Sequence, residues 1–524
     1  MLTNALKTSV ILYFVVGSTG QAQTILTPES QAAFQRILSP QSDRQPVARA
    51  QALTVRAARD AYSRLLVWNE VAMEVTAADH ARGPAEGYDQ LGPHRSSRAI
   101  AIVHLAMYDA INAVTKKYTS YSDIPDANDA QKPACLDTAI SASARTSMLA
   151  LFPREQNRIN DAYNRDLSWA NAACESAQTM SDVGIAVGED ATRRILSLRA
   201  NDGSAFNERD AGTEQQAIEN PSKYVYLPAG AGQWQPDPIS MMPTALGYDW
   251  GKVKPFVLKD IISFRPPTRP ALTDVRYTLD YNDVKNIGAS FSPARKPNES
   301  FIGVFWAYDG TPELCAPPRL YNQYALQVVE QNQQPMSPLK DVSDLARFLA
   351  AINTAMADTA IVAWEAKWRE AFWRPVTAIR YQMDDGNPET QPDVSFVPLG
   401  APATNGRGPN FTPPFPAYPS GHAAFGGALY QTMRKYYVEN TSVTFTSDEF
   451  NGLNKDAAGQ TRSYRSRDYL NFSQPEWENA RSRIYLGIHW QVDADEGIAL
   501  GRKVADYVSA NAFLPRPRQA SLRR

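Results

Sequence analysis

Apolar residues recur every three to four positions over long runs of this chain, and that period limits its fold more than any other feature. Residues 98–114 (RAIAIVHLAMYDAINAV) carry the pattern. So do residues 344–372, where Leu345, Phe348, Leu349, Ile352 and Met356 share one face. Asp341 or Ser343 can cap this second run, and Pro375 stops it. Strand-like alternation is scarce, so the expected fold is all-α. Between about residues 220 and 319 prolines become frequent and the helical period weakens. This reads as a long, irregular, proline-rich connection between two helical halves, and such connections often carry function. The expected organisation is an export signal over residues 1–22 and an N-terminal helical half over 23–220. An irregular connection over 221–335 and a C-terminal helical half over 336–514, which holds the functional site, follow. A basic tail over 515–524 is left in solvent.

Charge excludes several function classes. Lys and Arg number 53 against 55 Asp and Glu, for a net charge of -2. Such a chain has no electrostatic footprint for nucleic acid or an anionic membrane, so any basic cluster must be local and suited to a small anion. Lys7, the short apolar run 10–16 (VILYFVV) and Gly20-Gln21-Ala22 have the order of an export signal. The expected location is therefore secreted or periplasmic. No later stretch approaches 18 consecutive apolar residues, so no stable membrane insertion of the mature chain is expected. Export permits disulfides. Of the three cysteines, Cys135 precedes one apolar-periodic run and Cys174 follows another. If those runs form an antiparallel helical hairpin, the two thiols meet at its open end; otherwise all three, Cys315 included, are buried thiols. No pair has metal-site spacing.

Three short motifs carry the chemistry. The first is Trp364-Glu365-Ala366-Lys367, continuing to Arg374-Pro375. Seven positions are nearly two helical turns, which would put Lys367 and Arg374 on one face. Pro375 biases Arg374 away from helical geometry and towards a helix end. The second is Phe411 to His422, FTPPFPAYPSGH. Four prolines stiffen the approach, Ser420 can cap the helix that follows, and the free amides there, Gly421 included, suit an anion. His422 stands at the edge of that site. The third is Ser482-Arg483-Ile484-Tyr485-Leu486-Gly487-Ile488-His489-Trp490, followed by Asp493. Ser473 and Glu476 have the spacing of a capping box for the helix carrying Arg483. A turn at Gly487 would let Arg483 and His489 point at one spot. Each motif alone also has a structural reading: a solvated basic face, a capped helix, a packed histidine. Together they offer one Lys, two Arg, one Ser, a glycine amide and two of the chain's five histidines to a single oxyanion.

This pattern, Lys-x6-Arg-Pro, then Pro-Ser-Gly-His, then Ser-Arg-x3-Gly-x-His, resembles the superfamily joining vanadium haloperoxidases with acid phosphatases. The flanking segments Phe305-Trp306-Ala307-Tyr308-Asp309-Gly310, Pro317-Pro318-Arg319, Gly400-Ala401-Pro402-Ala403-Thr404-Asn405 and Pro413-Pro414-Phe415-Pro416-Ala417-Tyr418 are similar to the vanadium chloroperoxidases of fungi. The resemblance covers about residues 300 to 510 and thins upstream. The loop between Tyr430 and Arg483 looks shorter than in the fungal enzymes, which bears on the entrance to the site.

The resemblance implies two four-helix bundles and a vanadate cofactor. His489 would bond vanadium, while Lys367, Arg374, Ser420, the Gly421 amide and Arg483 would hold the oxygens. His422 would be the acid–base group, Lys367 would polarise peroxide, and Asp309 would pair with a site arginine. Trp364 and Phe415 would form the halide pocket. Such a set suits the chemistry: guanidiniums and an ammonium offset the anion with directed donors, and a neutral imidazole can bind a d-block centre. The implied activity is oxidation of chloride, bromide or iodide by hydrogen peroxide to hypohalous acid. An organic halogen acceptor is a further candidate partner. The alternative is an acid phosphatase on the same oxyanion site, with His489 as nucleophile and His422 as general acid. A non-catalytic oxyanion-binding protein is a third reading, against which His422 argues, since binding alone needs no acid–base group.

Overall fold

The computed structural model describes residues 58, 60–81, 87–127, 134–174, 178–332, 337–382, 384–406 and 408–517. The expected export signal lies outside them. The chain is mainly helical, with a few short strands. Helices α1 (Ala61–Ala81), α2 (Gly92–Thr115), α3 (Leu136–Leu151), α4 (Gln156–Ala173) and α5 (Gln178–Arg199) build the N-terminal half, with α3 packed on α1, α2, α4 and α5. The short α6 (Glu214–Glu219) follows. The C-terminal half comprises α10 (Val342–Glu370), α11 (Pro375–Arg380), α12 (Gly421–Met433), α13 (Ser473–Tyr485) and α14 (Gln491–Asn511). Helix α10 packs on α2 from one half and on α12 and α14 from the other, and so joins them. By length and composition it could cross a membrane, yet 94% of its most apolar 18-residue window is buried in this core.

The hairpin expected of α3 and α4 forms, and Cys135 and Cys174 are joined in a disulfide across its open end; Cys315 is free and buried. Closing 39 residues of sequence restricts the unfolded chain by about 4 kcal/mol in the chain-entropy model.

The middle is less irregular than its prolines imply. Residues 209–245 hold a small sheet, with β1 (Arg209–Gly212) between β2 (Tyr224–Tyr226) and β3 (Thr244–Ala245). Three helices, α7 (Val275–Ile287), α8 (Pro297–Phe305) and α9 (Pro317–Gln331), then occupy much of residues 275–331. Proline at the first or second position starts both α8 and α9, where its missing N–H costs nothing. Prolines there mark helix starts and not disorder. The stretch between sheet and α7 is tied down by Asp358 of α10, whose carboxylate accepts the amides of Phe256, Val257 and Leu258 at 2.6–3.0 Å. A second hairpin pairs β4 (Val443–Thr446) with β5 (Ser466–Tyr469).

Three local expectations need correction. Lys367 and Arg374 do not share a helical face. Helix α10 ends at Glu370, Ala371 takes a left-handed conformation (φ 43°), and Arg374 is an extended residue that precedes α11. The chain reverses there, and this turn, not helical periodicity, brings the guanidinium back toward Lys367. Nor do Ser473 and Glu476 form a capping box. Asn471 accepts the Gln474 amide instead, the Ser473 hydroxyl donates to Glu439, and Glu476 is drawn off by Arg434 and Arg502. Two buried-end ion pairs outcompete one backbone amide. The basic tail is not wholly solvated at its start: Arg516 donates to the Tyr118 carbonyl at 2.7 Å and to Asp126 at 2.7 Å.

Candidate active site

Four chain segments meet at one end of the C-terminal half. Ser420 caps α12 as its sequence suggests, accepting the Ala423 amide at 3.4 Å. Its own amide donates to the Asp493 carbonyl at 2.8 Å, which ties the start of α12 to the start of α14. The two helices can approach this closely because Gly501 has no side chain: a Cβ there would lie 2.0 Å from the Ala424 carbonyl oxygen. Gly487 ends α13 with φ 71°, again as expected, and a Cβ on it would lie 2.3 Å from the Gly288 oxygen. The reversal at Gly487 returns the chain so that His489 and Arg483 both line one cavity of about 430 Å³. Trp364, Phe415, Gly421, His422 and Asp309 line it too.

The cations are buried and partly satisfied by neighbouring carbonyls and side chains. Arg374 donates from Nε to the Phe415 carbonyl at 2.9 Å and from Nη1 to the Ile488 carbonyl and His489 Nε2, each at 2.8 Å. Arg483 donates from Nη2 to Asp309 at 2.5 Å. Arg374 Nη2, Arg483 Nε and Arg483 Nη1 have no protein partner. Leaving a buried donor unpaired costs about 1–3 kcal/mol, and more for a charged group. Three such donors on two guanidiniums are an arrangement completed by an anion. Burial, followed by the repulsion of its cationic neighbours, lowers Arg374 to about 9 despite the pull of Asp493. An added negative charge would reverse that push.

Lys367 is fully buried, and its Nζ donates to the carbonyls of Pro416, Ala417 and Pro419 at 2.9, 3.0 and 2.5 Å. Burial and the nearby Arg374 push it below the usual ammonium range, but three acceptors need three N–H bonds, which only the ammonium has. Its charge lies 5.1 Å from the Phe415 ring centre and 5.8 Å from that of Trp364. The proline-rich approach thus holds the lysine by its backbone carbonyls.

Both histidines are neutral and oriented. Burial, and then Arg374, Lys367 and Arg483, hold His489 well below its ordinary value. Its Nδ1 lies 2.8 Å from Asp493 Oδ2, so Nδ1 carries the proton and the Nε2 lone pair faces Arg374 and the cavity. Burial, and then Arg483, likewise lower His422. Its Nε2 donates to the Ala307 carbonyl at 2.5 Å, leaving Nδ1 free to accept a proton, with Asp309 Oδ1 at 4.0 Å. The backbone of His422 is fixed by Tyr321 and Asn479, which both donate to its carbonyl.

All ten residues singled out in the sequence gather here. Sequence reasoning under-used Asp493, which it noted only as a neighbour; the i, i+4 spacing from His489 was the available signal. It missed Tyr321 and Asn479, and it missed the outer wall. Leu91, Gly92 and Pro93 at the start of α2, and Ser240, Met242, Thr244 and Leu246 beside β3, line the cavity although they lie far upstream of the three motifs. None of them carries a charge or a motif that the sequence could flag.

Residues 347–514 match the family model described as the VCPO second helical-bundle domain. Vanadium chloroperoxidase from Curvularia inaequalis is 27% identical over 497 residues, covering 82% of this chain and 79% of that protein. Among solved structures, that of the first bacterial vanadium-dependent iodoperoxidase shares the fold with a TM-score of 0.66 at 20% identity, over 87% of this chain and 98% of that one. A holo-type bacterial vanadium-dependent chloroperoxidase does so with a TM-score of 0.57 at 17% identity, over 82% and 94%. The chain is thus similar in sequence to a vanadium chloroperoxidase and in fold to bacterial vanadium-dependent haloperoxidases.

The donor set fits vanadate. Among the described residues no group of three or more His, Cys, Asp or Glu side chains could hold a metal ion. The charge of the site is instead cationic, from Lys367, Arg374 and Arg483, which suits an oxyanion. The unpaired Arg374 and Arg483 donors, the Gly421 end of α12 and the His489 Nε2 lone pair are the groups available to it.

Proposed function

We propose that this protein is a vanadate-dependent haloperoxidase, oxidising halide with hydrogen peroxide to hypohalous acid. The observation that carries the reading is the set of three guanidinium nitrogens without a protein partner, Nη2 of Arg374 and Nε and Nη1 of Arg483, beside a neutral imidazole whose Nε2 lies 2.8 Å from Arg374 Nη1. Arg374, Arg483, Ser420 and the Gly421 amide would hold the oxygens, and His489 Nε2 would bond the metal. Vanadate supplies Lewis acidity that activates peroxide toward halide without needing to change oxidation state. The chain supplies the rest. His422, neutral and with Nδ1 free, takes a proton from incoming peroxide at that atom. Asp309 accepts from Arg483 and keeps its guanidinium aimed at the cavity. Lys367, clamped by three carbonyls, adds a fixed positive charge that draws electron density from peroxide.

Trp364 and Phe415 pack with ring centres 5.1 Å apart on the wall nearest Lys367, and both are buried. They exclude water and so strengthen the pull of the cations. This supports chloride oxidation at acidic pH, with bromide and iodide also accepted. Export to the cell exterior or periplasm is supported by the order of charges and apolar residues over 1–22, and the Cys135–Cys174 disulfide suits an oxidising compartment. Hypohalous acid can leave free or meet an organic acceptor at the mouth.

The test is monochlorodimedone halogenation by metal-free protein with peroxide and halide, with and without added vanadate. Halogenation that depends on vanadate is expected. Equal rates without vanadate would overturn the reading, and hydrolysis of phosphate esters with no halogenation would replace it with a phosphatase.

A further inference from the structure

Ser240, Met242, Thr244 and Leu246, every second residue of one segment, line the cavity. The inner end of the segment is fixed. Leu246 is 6% exposed, accepts from Trp364 Nε1 through its carbonyl at 3.1 Å, and donates from its amide to Pro414 at 3.0 Å. The outer end reaches solvent, for Met242 is 38% exposed. Extended chain advances about 3.3 Å per residue, so Met242 lies about 13 Å of chain outward from the residue that holds Trp364. It is a thioether at the rim, on the way out. Met241 beside it is 72% exposed and does not line the cavity. The more exposed residue of the pair is thus the one outside the cavity lining. Cys315, the other oxidisable sulfur nearby, is fully buried.

We propose that Met242 is a modification site, oxidised to methionine sulfoxide by hypohalous acid leaving the cavity. The proposal rests on the haloperoxidase reading, which supplies the oxidant. In the net step the thioether and hypohalous acid give sulfoxide, halide and a proton. Sulfur loses two electrons, the halogen gains two, and the S–O bond replaces the O–halogen bond. Thioether sulfur is soft and polarisable, and its oxidation turns an apolar side chain into a polar one. That change places a strong hydrogen-bond acceptor in a cavity whose lining includes the apolar Leu91, Pro93, Phe411 and Pro413.

The experiment loads the protein with vanadate and supplies peroxide and bromide. Free methionine then quenches it, and tandem mass spectrometry reads sulfoxide separately at Met241, Met242 and the half-buried Met180 of α5, which lies outside the cavity. A parallel arm treats the same protein with reagent hypobromite from bulk solution. Bulk reagent should follow exposure and favour Met241 over Met242 about twofold, as 72% stands to 38%. Oxidant made inside should reverse the order, to about threefold in favour of Met242, with Met180 unchanged. If bromide is oxidised but both arms favour Met241, the proposal falls and the haloperoxidase reading stands. If peroxide without bromide oxidises Met242 equally, the proposal also falls. If the loaded protein oxidises no bromide and Met242 stays a thioether, both fall together.

Discussion

His489 Nδ1 stands 2.8 Å from Asp493 Oδ2, and the same carboxylate oxygen accepts the Trp490 amide at 3.0 Å, so one side chain starts α14 and sets the tautomer of the imidazole. Burial raises Asp493 to about 7, against the opposing pull of the Trp490 amide and Lys367. The carboxylate therefore has a weak hold on its charge and a strong hold on geometry.

Asp493→Asn should keep the helix start but lose the charged acceptor behind His489. Partners of a metal-bound histidine are commonly worth about 10–100-fold in affinity. Vanadate affinity, read by titrating recovered activity and by direct binding, should fall within that range, while His489→Ala should abolish vanadate-dependent activity. Undiminished vanadate affinity in Asp493→Asn would remove the role assigned to this contact.

Phosphate should compete with vanadate during reconstitution, because the unpaired donors of Arg374 and Arg483 recognise charge and oxygen, not the central atom. Recovery of activity at fixed vanadate should decline with added phosphate. Full recovery at a large phosphate excess would contradict the cage described above.

Phe415→His should reduce chloride turnover more than bromide turnover. The ring packs on Trp364 and lies 5.1 Å from both Lys367 Nζ and the Arg374 guanidinium carbon. A polar ring would admit water and weaken the cationic pull, and chloride, the hardest of the three halides to oxidise, has the least to spare. Steady-state turnover with each halide in wild type and variant is the measurement. An equal loss for both halides would sink the argument.

Acid stability should depend on Glu208. Burial favours its neutral form, but His94, Arg95 and the Gly247 amide overcome this and hold it at about 2. His94 is itself held below its ordinary value by burial, so Arg95, at 2.9 Å, is the partner that stays charged near neutrality. A carboxyl depressed on folding adds stability above its unfolded value, and that stability is lost as pH falls from about 4.5 to about 2. Urea midpoints across that window should therefore fall more steeply in wild type than in Glu208→Gln. Parallel slopes would refute it. The pair also matters for the site, since His94 packs against Trp364 with ring centres 5.4 Å apart.

Sequence alone was enough wherever the physics is local. Helical periodicity foretold α2 and α10, Ser420 and Asp341 cap the helices they were assigned, and Gly487 adopts the left-handed turn only glycine takes freely. The Lys, Arg, Ser and His of the proposed oxyanion site could be singled out from three short motifs taken together, and the fold brings them to one place. Tertiary structure decided what depends on competition or on distant partners. Ser473 and Glu476 could have capped α13, but Glu439, Arg434 and Arg502 offered each a stronger bond from elsewhere in the chain. Lys367 and Arg374 meet through a reversal at Ala371, a residue with no sequence signal for positive φ. The cavity wall comes from Leu91 to Pro93 and from Ser240 to Leu246, apolar or neutral residues whose role exists only because α2 and β3 pack beside Trp364. A side chain's own chemistry can be read in one dimension, but which of several competent partners it takes is settled by the packing that makes one of them near and the rest far.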